Sequence, residues 1–227
     1  MIVIGVIVFL SLFYAYFALT TPSKYPVYID DIQIRYNDKI TKTIDFNDRS
    51  LNEITTLSDS QNLLQIVDTE YHSPLYSLAF ENAYNDRGEA SLKLEPEPDW
   101  RSFEVSWYIY IWGYGSTGTS SPIFWAFFSG ASDLAFNMHV NFAWNGKTSE
   151  PMFMIYTMYY NYTQQTPLTM TETISSTHWK LGEWQKVSIL FDKDRSTLKL
   201  KIDDEIVFED AWKPEYVDQP QELRWIS

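Results

Sequence analysis

The chain contains no cysteine. That excludes disulfides, thiolate nucleophiles and cysteine–zinc sites, so a fold of this length must be held by its core alone. Glycine is scarce, at 8 of 227 residues, and no Gly-rich phosphate loop, nucleophile elbow or His-Glu-x-x-His pair occurs. Basic residues are few as well. Seventeen Lys and Arg stand against 30 Asp and Glu, for a formal net charge of −13, which disfavours nucleic acid as a partner because phosphate binding needs a basic surface. The three histidines, His72, His139 and His178, are far apart and lack metal-ligand spacing, so neither a metal nor a cofactor is expected. After the N-terminal segment no stretch has a helical period, and no internal repeat is visible.

Charge is missing altogether before Lys24. The segment Met1 to Leu19, MIVIGVIVFLSLFYAYFAL, is apolar on every face. As a helix it reaches about 28 Å, the thickness of a bilayer core. A cleaved signal peptide usually opens with a basic region and closes on a small-x-small site. Here no Lys or Arg opens the segment, and Tyr16 stands at the −3 position of a cut after Ala18. An uncleaved transmembrane helix fits better. Lys24, closely followed by Asp30 and Asp31, gives almost no orientation by charge. The placement of the domain outside the cytoplasm rests on the kind of domain that follows and on a single sequon, Asn161-Tyr162-Thr163, which makes Asn161 a glycosylation candidate. The expected organisation is an anchor or signal segment over 1–20, a linker over 21–26, and one β domain over 27–227.

What the chain has in quantity is alternation. Ile32, Ile34 and Tyr36 interleave with Gln33 and Arg35, Ile44 and Phe46 flank Asp45, and Leu92 and Leu94 flank Lys93. From Phe103 to Trp112 one face carries Phe103, Val105, Trp107, Ile109 and Ile111, and the other Glu104, Ser106, Tyr108, Tyr110 and Trp112. This period of two marks half-buried strands. Ile123 to Phe128 is apolar on both faces and reads as a central strand. Leu134 to Trp144 alternates again, with Ala135, Asn137, His139, Asn141 and Ala143 on the second face. Asn145-Gly146 then signals a hairpin into Met152 to Tyr162.

The block from Trp184 to Trp212, WQKVSILFDKDRSTLKLKIDDEIVFEDAW, resembles the closing strands of laminin-G-like, concanavalin A-like jelly-roll domains. Trp184, the Asp192–Ser196 turn and Leu198–Ile202 follow in the family's order. Ser102 to Trp112 resembles its early core strand, and Gln221 to Ser227 its last strand. The tight turn departs from the pattern, since Asp204 stands where the family usually has Gly; Asp tolerates a positive φ better than most residues. The resemblance implies an all-β, two-sheet antiparallel jelly-roll sandwich that binds sugars or surface proteins on a sheet face or its loops. Some members hold calcium, but no ligand set maps onto this sequence. Asp192, Asp194, Asp203 and Asp204 read as turn residues.

Enzymes on such sandwiches are often glycoside hydrolases, which need paired carboxylates. The laminarinase-type E-x-D-x-x-E pattern is absent, and between Val105 and Met170 the only acids are Asp133 and Glu150. Glu104 remains as a lone candidate and reads as a rim residue. Aromatics are abundant: 9 Trp, 16 Tyr and 14 Phe. Most belong in a core, but Tyr108, Tyr110 and Trp112 lie on the second face of their strand, where they either pack under another element or stack on sugar. Asn137, His139 and Asn141 form a hydrogen-bonding face that suits a sugar or another strand, with structural pairing the plainer reading for His139. The expectation is therefore a membrane-anchored, non-enzymatic binding module for glycan or a surface protein. The alternatives are a structural subunit of a cell envelope or virus-like coat, which would assemble without ligand, and then a glycoside hydrolase.

Overall fold

A computed structural model of the chain describes residues 26–58, 64–80, 82–83, 86–87, 89–95, 97–111, 121–129, 134–144, 151–161, 163–178, 180–211 and 219–226. The expected anchor over 1–20 and most of the linker, together with Trp112 and Asn145-Gly146, lie outside these residues. Among the described residues no helix is long and apolar enough to cross a membrane.

The alternating segments become strands, in order β1 (Val27–Tyr36), β2 (Lys39–Ile44), β3 (Thr55–Ser58), β4 (Leu64–Val67), β5 (Ser77–Phe80), β6 (Asn82–Ala83), β7 (Asp86–Arg87), β8 (Glu89–Lys93), β9 (Ser102–Ile111), β10 (Ser121–Ser129), β11 (Leu134–Trp144), β12 (Pro151–Asn161), β13 (Thr166–His178), β14 (Trp184–Asp192), β15 (Thr197–Ile202), β16 (Glu205–Ala211) and β17 (Gln219–Ile226). An eight-stranded sheet runs β16-β15-β14-β9-β1-β5-β4, with β2 also paired to β1. A seven-stranded sheet runs β13-β12-β11-β10-β17-β8-β3. Their pairings are all antiparallel.

The sheets face each other across one core. Phe103, Val105, Trp107, Ile109 and Ile111 of β9 are buried, as are Phe136, Met138 and Val140 of β11 and Leu223 and Trp225 of β17. Trp107 meets Trp225 edge-on across the two sheets at 5.8 Å between ring centroids and 89°. Phe136 meets Phe191 of β14 in the same way at 6.1 Å and 86°. Burying one large apolar side chain stabilises by roughly 1.5–3 kcal/mol, so this aromatic joint is a main reason the sheets stay stacked.

Local signals decide the hairpins. At the β15–β16 turn Ile202 pairs with Glu205, and Asp203 and Asp204 both take positive φ, 49° and 67°. That is the two-residue turn whose twist matches the strands, formed without glycine. Asn37 and Asp38 repeat it between β1 and β2, with φ 51° and 63°. The Asn37 side chain also accepts the backbone N–H of Arg101 at 2.7 Å, which fastens this hairpin to the start of β9. The expected pairing of 134–144 with the following strand is present, from Leu134 opposite Asn161 to Trp144 opposite Pro151. β10 is central, between β11 and β17, as its two apolar faces require.

Candidate functional site

Because Phe136, Met138 and Val140 fill the core, alternation places Asn137, His139 and Asn141 on the outer face of the seven-stranded sheet. In β12 the core takes Ile155, Thr157 and Tyr159, leaving Tyr156, Met158 and Tyr160 half-buried on the same outer face. Register then aligns positions from several strands. His139 lies opposite Tyr156 on one side and Trp125 on the other. Tyr156 lies opposite Glu172, and Trp125 opposite Arg224. Glu172, Tyr156, His139, Trp125 and Arg224 thus form one row across β13, β12, β11, β10 and β17. The next row runs Met170, Met158, Asn137, Phe127, Glu222 and Lys93. Directly opposed positions have Cβ atoms about 5 Å apart, so the first row spans roughly 19 Å.

The residue types at these positions are aromatic, amide, imidazole, guanidinium and carboxylate, which as classes stack on flat rings, hydrogen-bond and pair with opposite charge. Of the residues singled out from the sequence, His139 falls in the first row and Asn137 in the second, while Asn141 lies opposite Met154 and Pro122. Sequence reasoning missed Trp125, Tyr156, Glu172 and Arg224 as a group. Tyr156 was within reach, since counting back along the expected hairpin puts it near His139. Arg224 was not, because only the sheet order brings the last strand beside β10.

The outer face of the eight-stranded sheet is built differently. Register lines up Tyr28, Tyr110 and Trp184 in one row and Asp30, Tyr108 and Lys186 in the next. Tyr110 packs at 5.9 Å from Tyr28 and 5.5 Å from Trp184. Its hydroxyl is pushed up in pKa by burial and then by the charge of Glu70. Gly182, at φ 72°, donates its N–H to Ile111 and so sets where Trp184 enters its strand.

Tyr108 is covered by the β4–β5 connection, a strap over 68–76. The His72 ring lies flat on Tyr108, with centroids 3.4 Å apart and planes 12° off parallel. Two adjacent acids of β1 hold the strap. β5 pairs with Val27–Ile29 and β2 with Ile32–Tyr36, so Asp30 and Asp31 fall in the gap between them. A bulge there, with Asp31 at φ 50°, turns both side chains toward the strap. Asp30 is 0% exposed and accepts the N–H groups of Asp31, His72 and Ser73 and the Ser73 hydroxyl. Burial raises its pKa, and the neighbouring Asp31 charge adds to the effect. Asp31 Oδ2 sits 2.7 Å from His72 Nδ1. Ser77 donates its hydroxyl to the Glu70 carbonyl and closes the strap's base.

The remaining candidates have local roles. Glu104 lies 3.8 Å from Arg35 in a half-buried pair. Asn161 accepts the Gln164 N–H at 3.0 Å, at the end of β12. Asp192 accepts from the Arg195 N–H at 3.0 Å, and Asp203 from the Lys186 N–H at 2.9 Å. These are turn contacts, and among the described residues no group of acids and histidines is gathered for a metal.

The sequence matches no family model and no curated protein. Among solved structures it is similar to the κ-carrageenase of Pseudoalteromonas carrageenovora in complex with a κ-carrageenan oligosaccharide, at 12% identity and a TM-score of 0.37, covering 91% of this chain and 66% of that one. It is also similar to an alginate lyase in complex with alginate trisaccharide, at 9% identity and a TM-score of 0.46, covering 87% and 86%. At such low scores neither likeness bears on this chain's chemistry.

Proposed function

We propose that this chain is a membrane-anchored, non-enzymatic glycan-binding module of the concanavalin A-like type, displayed outside the cytoplasm, with its ligand lying across the outer face of the seven-stranded sheet. The observation that carries this reading is the register row Glu172, Tyr156, His139, Trp125 and Arg224. It combines flat aromatic residues with hydrogen-bonding and ionic ones along one line, the mixture that orients a sugar chain. The two carboxylate residues that these register rows place on this face, Glu172 and Glu222, stand four strands apart, on the order of 19 Å. Glycoside hydrolysis uses pairs no further apart than roughly 10 Å. The test is binding of the chain to an immobilised panel of plant and algal polysaccharides, beside Trp125→Ala and Tyr156→Ala. Binding that is lost in both folded variants supports the reading, and binding that survives in both removes the site from this face.

One observation favours a second reading. His139 and Tyr156 occupy directly opposed positions in register, and histidine and tyrosine are residue types that serve as general base and general acid. On this reading the face moves a proton on bound sugar and cleaves the chain. Loss of viscosity in the same polysaccharides, abolished by His139→Gln, would replace the non-enzymatic reading.

A further inference from the structure

We propose that the outer face of the eight-stranded sheet holds a second sugar-binding platform, and that the strap over 68–76 is its resident occupant. The strap supplies what a neutral pyranose supplies. Its His72 ring rests on Tyr108 at 3.4 Å, where the apolar face of a sugar ring stacks. The Ser73 hydroxyl and the N–H groups of residues 72 and 73 fill the Asp30 carboxylate, where vicinal hydroxyls bind. Trp184 flanks the position, edge-on to His72 at 6.0 Å, and Lys186 lies opposite Tyr108.

The strap is fastened as a removable element is fastened. Polar groups hold its middle, where Tyr71 and Leu75 are turned to solvent at 45% and 58% exposure, while Tyr76 at its base packs against the core. Leu75 sits at φ 106°, a conformation that a branched L residue adopts only under constraint. Release of residues 71–75, with Tyr76 left in place on the core, relaxes Leu75 and uncovers Tyr108 between two carboxylates and a row of rings. Two adjacent carboxylates select a neutral ligand over an acidic one. This platform is independent of the row on the opposite sheet.

Hydrogen exchange on the full chain tests the inference, with β-linked gluco- and galacto-oligosaccharides as probes. The amides of His72 and Ser73 should exchange through local opening, roughly 100-fold or more faster than those of β1 and β9. Added oligosaccharide should speed them further by holding the strap open. A His72→Ala, Ser73→Ala double variant should bind the oligosaccharides at least about tenfold tighter than the wild type, and Tyr108→Leu in that background should remove the gain with thermal unfolding retained. Exchange at residues 72 and 73 only through global unfolding overturns the proposal. So does oligosaccharide that leaves their exchange unchanged, a folded double variant that binds no better, or a gain that survives Tyr108→Leu. If the double variant does not fold, exchange in the wild type decides alone.

Discussion

On the eight-stranded sheet the outer face of β9 is roofed, with Tyr108 under the His72 ring and Asp30 sealed from solvent beneath the strap. On the seven-stranded sheet the corresponding face of β12 leaves Tyr156, Met158 and Tyr160 half-buried along their strand. Both strands alternate in the same way and both present tyrosines. The difference comes from the edge of β1, which β5 and β2 share incompletely, leaving two acids to capture a loop. A strand's second face is thus covered where a neighbouring gap supplies polar groups that can hold something over it.

The sharpest way to break this comparison is Asp30→Ala. It strands the part-buried N–H groups of Asp31, His72 and Ser73 and the Ser73 hydroxyl, and should cost on the order of 3 kcal/mol in urea unfolding while raising exchange at residues 72 and 73. A change near zero would show that the carboxylate does not hold the strap. Tyr156→Ala on the outer face of the seven-stranded sheet should do the reverse. Binding should fall about tenfold or more, with unfolding shifted by no more than roughly 1 kcal/mol. A larger loss of stability would mark Tyr156 as a packing residue.

The pH dependence of Asp30 is a smaller effect with a definite sign. Its folded pKa lies above the ordinary carboxylate value because burial opposes its charge. A raised pKa means that the folded state holds this proton more tightly than the unfolded state. The contribution is fully present below the unfolded pKa and lost as pH rises through the folded one. Wild type should therefore gain stability relative to Asp30→Asn as pH falls from neutrality through the acid range, read from paired urea midpoints. A relative loss on acidification would contradict the assigned burial. Smallest of all, Asp204→Gly should stabilise by about 0.5–1 kcal/mol, since glycine takes the 67° φ without steric cost. No change in the melting temperature would show that the aspartate side chain offsets the strain.

The legible part of this molecule was its strands and their core faces. Trp107, Phe136 and Val187 are buried where a period of two puts them. Asp203-Asp204 turns where the sequence lacks glycine. His139 lies opposite Tyr156 and Trp125 in register, neighbours that the sequence pattern did not announce. Trp125 and Arg224 are nearly 100 positions apart in sequence and become opposed only because β17 enters between β10 and β8. His72 read as an isolated histidine, and nothing in the spacing 30–72–108 announces a stacked ring above a buried acid.

Alternation along the backbone by itself determined the class of this protein, because successive side chains of a strand must point to opposite faces and only stacked sheets bury one face of each. The acidic charge and the absence of cysteine are likewise properties of the chain that no fold alters. Which strands become neighbours, and where the strap roofs Tyr108, was decided by the tertiary structure alone. Sheet order is set by long-range pairing across loops, and a local period carries no information about which distant segment supplies the partner.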